Sequence, residues 1–398
     1  MKFSPVPSNC GSARFQLMES MIIFQILLIQ ILIEHPERKN MNEKISNPLI
    51  SVIVVNYNGK KFLSDCFSSL FHQAYSPLEV IMVDNASDDG SVEYVQQNFP
   101  EVKTFTQATN RGFAGGTNAG IRKAEGEFIL TLNNDTIIPI DFIDELVKPM
   151  ISDPFVGMCA SKMIFPDGRI NSTAICISRS GAAWDRGMGE PDHGQYDGAE
   201  EVFGPCAGAA LYRRTMLDEI GLFDEDFFLY MEDVDLAFRA RLSGWKCMYV
   251  PAARVIHVHG GTAEPGSDIS VYYGNRNILW YAVKNFPKRA LLVFIPWIIG
   301  RNIAVIPYYF LKGKGKAIIR AKIDSVKGLP GMIKKRAGIK KTISDSAIEK
   351  WIQVWCHAKV PKKRDKNVQE RRIYSGPDDI RLYERSDNIT QTILDTGK

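Results

Sequence analysis

The chain has 398 residues, 45% hydrophobic and 24% charged, with 31 Gly and 20 Pro, which excludes collagen-like, low-complexity and wholly disordered classes. Seven cysteines stand far apart without a CxxC pair, so a reducing compartment is expected rather than a disulfide framework or a structural zinc site. The net charge of +4 hides an asymmetry: residues 312–398 hold 22 Lys and Arg against 10 Asp and Glu, leaving the first 311 residues at −8.

Near the start, Ile22 to Ile33 reads IIFQILLIQILI, too short to span a bilayer and without a basic leader or a cleavage site. Met41 opens MNEKISNPLISVIVV, a hydrophilic stretch running straight into the first strand. Residues 1–47 are read as an N-terminal extension, with Met41 as an alternative start.

From Pro48 the pattern alternates. Leu49 to Asn56 is a buried strand, and Lys60 to Gln73 has apolar residues at helical spacing. Leu78 to Asp84 is a second strand, Ser91 to Asn98 a short helix and Val102 to Thr106 a third strand. The run RGFAGGTNAG predicts a loop that enters a helix near Asn118 to Ala124. Phe128 to Leu132 is the next strand, ending in Asn133-Asn134-Asp135. Near-continuous apolar strands alternating with helices imply a mostly parallel sheet covered on both faces. Gly157 to Arg214 is Gly-rich and irregular. Beyond it, Val234, Ala237, Phe238 and Leu242 recur at helical spacing behind Glu232-Asp233, and Arg254 to Ile256 reads as a strand.

Ala290 to Leu311 is long enough to span a membrane, but Arg301 and Asn302 sit at its middle and Pro296, Gly300 and Pro307 interrupt it. Lys312 to Lys341 follows with 11 Lys and Arg and only Asp324 acidic. Aromatics beside a dense basic run fit a segment lying at an anionic interface, with the positive side cytoplasmic. A packed helix with a solvated charged face would read the same way.

Ligands of parallel sheets bind at the carboxyl ends of the strands. Here those ends are Asn56-Tyr57-Asn58, Asp84-Asn85 and Asn133-Asn134-Asp135. Asp84 is placed to accept hydrogen bonds from a base edge or ribose, while Asn110, Arg111 and Gly112 begin a stretch offering N–H groups and a guanidinium to phosphates. Taken singly, each polar residue is an ordinary turn former. Three coincident strand ends point to a ligand. No GxGxxG follows the first strand and no GxxxxGK[ST] occurs, against dinucleotide and P-loop chemistry.

SVIVVNYNG, VDNASDDGS, NRGFAGGTNAGIRKAEGEFILTLNNDT, GLFDEDFFLYMEDVDLAFRARLSGWK and VIHVHGG, in that order over roughly residues 48–290, resemble the family 2 glycosyltransferases. Within them they are similar to the bacterial rhamnosyltransferase-like branch that builds cell-surface polysaccharides. The resemblance implies an α/β GT-A fold, a nucleotide-sugar donor, a divalent cation (Mg or Mn) and inversion at the anomeric carbon. It also implies a saccharide or polyprenyl-diphosphate-linked acceptor at the inner face of the cell membrane, with no nucleic-acid partner. Asn56, Tyr57, Asp84, Asn110, Arg111, Gly112, Asn133 and Asn134 match donor-binding positions, and Asp84 the nucleoside aspartate. Asn133-Asn134-Asp135 matches the Asp-x-Asp site with its first carboxylate replaced, leaving Asp135 and His257 as metal ligands. His259, two residues on, would point the same way in a strand. Glu232-Asp233 matches the acidic pair, Asp233 as base and Glu232 in support. Capping and dipole compensation, shared with Asp235, would account for the same carboxylates.

Arg276-Asn277 is a family-like stretch approaching phosphate, and Trp184, Phe227, Phe228 and Tyr230 are candidates for facing sugar or lipid. The domains expected are a glycosyltransferase domain over 48–290, a membrane-associating segment over 291–344, and a polar tail over 345–398. Two other classes compete. A nucleotidyltransferase should carry a Gly-rich, basic loop after the first strand, which Asn56-Tyr57-Asn58-Gly59 does not supply. A nonenzymatic binder of anionic membranes has no need of Asp135, Asp233 and His257.

Overall fold

The computed structural model describes residues 47–258 and 266–354. The expectations for Ile22 to Ile33, Met41, His259 and the tail beyond residue 354 lie outside the described residues. A compact unit begins at Pro48. Its first half runs β1 (Ile50–Asn56), α1 (Lys60–Phe71), β2 (Leu78–Asp84), α2 (Ser91–Asn98), β3 (Lys103–Thr106), α3 (Gly112–Ile121) and β4 (Phe128–Asn133). Side chains alternate across each strand, and both faces are covered. Ile53, Ile81 and Ile129 enter one core, and Val52, Val54, Met82 and Leu130 the other.

One boundary differs from the sequence expectation. The helix expected near Asn118 begins at Gly112. Its glycines are the face it lays on the sheet: a Cβ at Gly120 would come 2.5 Å from Ile53, and one at Gly116 2.7 Å from Val55. Propensity argues against a helix there, and close packing overrides it.

The second half continues with β5 (Thr136–Ile137), α4 (Phe142–Ser152), β6 (Val156–Ile164), β7 (Ile170–Ser172), β8 (Ile175–Ser178), β9 (Ala183–Asp185) and β10 (Glu200–Glu201). Then come β11 (Ala209–Arg213), α5 (Arg214–Ile220), α6 (Glu232–Leu242) and β12 (Lys246–His257). The main sheet has the order β10-β12-β6-β11-β4-β1-β2-β3, with β5 and β7 paired off this path. β11 and β10 are antiparallel to their neighbours and the other strands of the row run one way, so the sheet is mostly parallel, as expected. The five described cysteines are free.

The C-terminal helices are α7 (Asp268–Asn285), α8 (Lys288–Leu311), α9 (Gly315–Lys327), α10 (Leu329–Arg336) and α11 (Asp345–Glu349), followed by β13 (Ile352–Gln353). Here the expected divisions at 290 and 344 fall within packed structure. Ile318, Ala321, Met332 and Ile348 are buried, Trp280 donates to the Ser325 carbonyl at 2.8 Å, and β13 pairs with β8. Helix α8 is different. It buries Ala290 and Ile298 but exposes Leu292 (70%), Ile303 (62%) and Leu311 (89%).

Candidate active site

β2, β1 and β4 are adjacent and end level, with Asn56 beside Asp84 and Val55 beside Asn133. Their terminal side chains form one buried row. Asn134 Nδ2 donates to Asn56 Oδ1 at 2.7 Å, and Asn56 Nδ2 donates to Asp84 Oδ1 at 3.0 Å. Asp84 also accepts from the Ser87 hydroxyl at 2.6 Å and the Ser87 amide at 2.9 Å. The carboxylate expected to meet a nucleoside is wholly buried, and it shapes the Asn85–Gly90 loop through Ser87. Tyr57 is half-buried beside this row.

Asn110, Arg111 and Gly112 lie at the start of α3. The Gly112 amide, expected to face phosphate, donates to Asn110 Oδ1 at 2.8 Å, and Arg111 pairs with Glu225. Gly112 has φ +67°, and a Cβ there would collide with the Phe228 carbonyl, so this loop abuts the turn before α6.

His257 closes β12 opposite Thr136, which brings it to Asn133 and Asp135. Its Nε2 lies 3.1 Å from Asp135 Oδ1 and 3.3 Å from Asn133 Nδ2, while Nδ1 lies 2.9 Å from Asn171 Oδ1. With Nδ1–H donating to Asn171, Nε2 presents its lone pair toward the carboxylate. A positive charge between them, a proton on Nε2 or a shared cation, would satisfy both. Their separation is near the ~3 Å expected between adjacent ligands of an octahedral cation bound at about 2.1 Å. Among the described residues no three His, Cys, Asp or Glu stand close enough to enclose an ion. Asn134 belongs instead to the row with Asn56.

The carboxylates at the start of α6 share a helix N-terminus but not an environment. Asp235 is wholly buried, and Lys284 and Arg239 bring its pKa down to about 2 against the cost of burial. Glu232 is buried with Oε2 unpartnered, and burial together with Asp233 raises its carboxyl well above the ordinary range. Asp233 accepts from the Val234 amide at 2.8 Å and the Ala207 amide at 3.3 Å, and burial and then Asp185 raise it to about 6. The three carboxyls at this helix start are therefore pushed apart, Asp235 downward and Glu232 and Asp233 upward.

The preceding turn is strained: Phe228, Tyr230 and Met231 have φ of 66°, 66° and 70°. Arg276 and Asn277, expected near phosphate, hold this turn instead. Arg276 donates to the Asp226 and Phe227 carbonyls at 2.7 and 3.0 Å. Asn277 Nδ2 reaches the carbonyls of Phe227, Leu229 and Tyr230 at 2.9, 3.0 and 2.7 Å. Of the four aromatics, Phe227 is core and meets Trp280 edge to face. Phe228 stacks on Tyr273, and Trp184 and Tyr230 are half-buried. Asn171 and Asp185 escaped sequence reading, because only strand pairing carries β7 and β9 to the cleft.

Residues 51–221 match the profile of Glycosyl transferase family 2. The chain is 27% identical over 250 residues to an N-acetylglucosaminyl-diphospho-decaprenol L-rhamnosyltransferase of Mycobacterium tuberculosis, covering 56% of this chain and 81% of that protein. It is 28% identical over 217 residues to the glycosyltransferase YwdF of Bacillus subtilis, covering 54% and 76%. Among solved structures, GalNAc-T7 with UDP, GalNAc and Mn²⁺ superposes with a TM-score of 0.52 at 17% identity, over 72% of this chain and 56% of that one. At that identity the likeness concerns the fold alone, which is GT-A-like.

Proposed function

Because the chain carries a family 2 glycosyltransferase domain, we propose that it moves a sugar, rhamnose in the first instance, from a nucleotide diphosphate to an acceptor hydroxyl. The acceptor proposed is a saccharide on a polyprenyl diphosphate, in cell-surface polysaccharide synthesis. The observation that carries the reading is the buried acidic start of α6, where Asp233 is held by two amides beside Glu232, whose carboxyl burial pushes up. Asp233 takes the acceptor proton as the hydroxyl attacks the anomeric carbon from the face opposite the diphosphate. The row from Asn134 through Asn56 to Asp84, with Tyr57 and the Asn110–Gly112 loop, forms the donor wall. Asp135 and His257 would hold a divalent cation, Mg²⁺ or Mn²⁺, which when bound supplies positive charge to the leaving diphosphate. The name of the Mycobacterium tuberculosis relative supports rhamnose and the lipid-linked acceptor. A panel of UDP-, GDP- and dTDP-sugars, read by release of nucleoside diphosphate, tests the proposal. A single dTDP-sugar is expected to turn over, and release from none of the panel would sink it.

The same reading places the protein on the cytoplasmic face of the membrane. Helix α8 is long and apolar enough to cross a bilayer by length and composition. Its middle, however, is held to the domain. Lys322 donates to Asn302 Oδ1 at 2.7 Å, and the Arg179 guanidinium lies 4.3 Å from the Trp297 ring centroid. Leu292, Ile299, Ile303 and Leu311 remain exposed, with Lys312, Lys316, Arg320 and Lys327 nearby in sequence and exposed as well. An apolar helix flanked by cations fits an anionic interface, at about 1 kcal/mol per engaged charge. Cosedimentation with vesicles is expected to rise with anionic lipid and fall as salt is raised. Retention indifferent to both would favour a span.

A further inference from the structure

The turn that delivers Asp233 is braced by a side chain more than a hundred positions away. Asp224 caps a 3₁₀ turn over Glu225–Phe227 by accepting from the Asp226 amide at 3.2 Å. Lys335, on α10, meets Asp226 Oδ2 at 2.6 Å and also contacts Asp224 Oδ1. Lys284, on α7, takes the other Asp224 oxygen at 2.7 Å and spans to Asp235 at 2.8 Å, inside the first turn of α6. Between these anchors lie Phe228, Tyr230 and Met231 with left-handed backbone, whose middle Asn277 holds and whose ends the two lysines fix. Sequence reading assigned Lys335 to a basic run facing lipid. Here it is half-buried and turned onto the catalytic half of the protein.

We propose that Lys335 is a positioning residue for sugar transfer, holding the 224–231 turn so that Asp233 meets the acceptor in register. The inference rests on the reading of Asp233 as base. It makes α10 part of the catalytic apparatus and not only a membrane tether. Displacing a base by about 1 Å can cost roughly a hundredfold in rate.

The test uses the full chain and the nucleotide sugar that the panel selects, with donor hydrolysis in lipid-free buffer as the probe. Lys335→Met is expected to lower kcat about tenfold to a hundredfold with a smaller rise in the donor KM, because Arg111 and Gly112 of the donor wall touch the same turn at Glu225 and Phe228 while the row from Asn134 to Asp84 does not. Lys335→Arg should restore most of the rate, since a guanidinium can span both carboxylates. Asp226→Asn breaks one arm at a side chain that is 56% exposed, so folding is not at stake, and should show a smaller fall of the same kind. Unchanged kcat in Lys335→Met overturns the proposal, as does a loss confined to KM or a loss that Arg does not restore. A loss seen only with vesicle-bound acceptor also overturns it and makes Lys335 a lipid contact. Asp233→Asn run alongside separates the two ideas. If that variant stays active, the assignment of the base has failed, whatever Lys335 does.

Discussion

Asp233→Asn is expected to lower the transfer rate about 10²–10⁴-fold while donor binding survives. The substitution keeps the size of the side chain and an oxygen for the Val234 amide, and it removes the basicity. Because burial and Asp185 raise the Asp233 carboxyl to about 6, the base is protonated below that pH. The wild-type rate should therefore rise as pH increases through about 6. Asp185→Asn removes a like charge and should move that limb to lower pH. Glu232→Gln keeps the size of a side chain proposed only to support the base, so its effect should be small beside that of Asp233→Asn. Steady-state rates over a pH series, with donor affinity measured separately, check all three. Inactive Glu232→Gln with active Asp233→Asn would exchange the two roles.

Asp135→Ala should cost about 10²–10³-fold, and chelation by EDTA should abolish turnover, with Mn²⁺ restoring the wild type. In the proposed site Asp135 would supply the negative ligand, because Asn133 carries no charge and directs its amide nitrogen toward His257. Loss of that carboxylate leaves an imidazole and neutral oxygens against a hard cation. Binding of Mn²⁺ followed by electron paramagnetic resonance in the presence of nucleoside diphosphate should weaken in parallel with turnover. Full activity in metal-free buffer would falsify the assignment of Asp135 and His257 to a cation.

The β1, β2 and β4 strands and their polar ends were legible because a doubly covered parallel strand is a continuous apolar run that stops at the first polar residues. Helix α3 was not, because a Gly-rich run reads as a loop until Ile53 and Val55 are seen against it. Asn171 and Asp185 lie on short strands with no periodicity of their own.

By itself the sequence determined the alternating α/β half, the level ends at Asn56, Asp84 and Asn133, and an acidic helix start at Glu232-Asp233-Val234-Asp235. It also determined that a basic segment follows an apolar one. Only the tertiary structure gave these carboxylates their separate environments. Lys284 and Arg239 hold Asp235 ionised, burial pushes the Glu232 carboxyl up, and two amides offset part of the cost of burial at Asp233. It likewise turned Arg276, Asn277 and Lys335 from phosphate and lipid toward the turn at Phe228. The reason is physical. Residue type and spacing set the local backbone and the faces it exposes. Charge state and pairing depend on desolvation and on partners about fifty to more than a hundred positions away, which packing alone brings within reach.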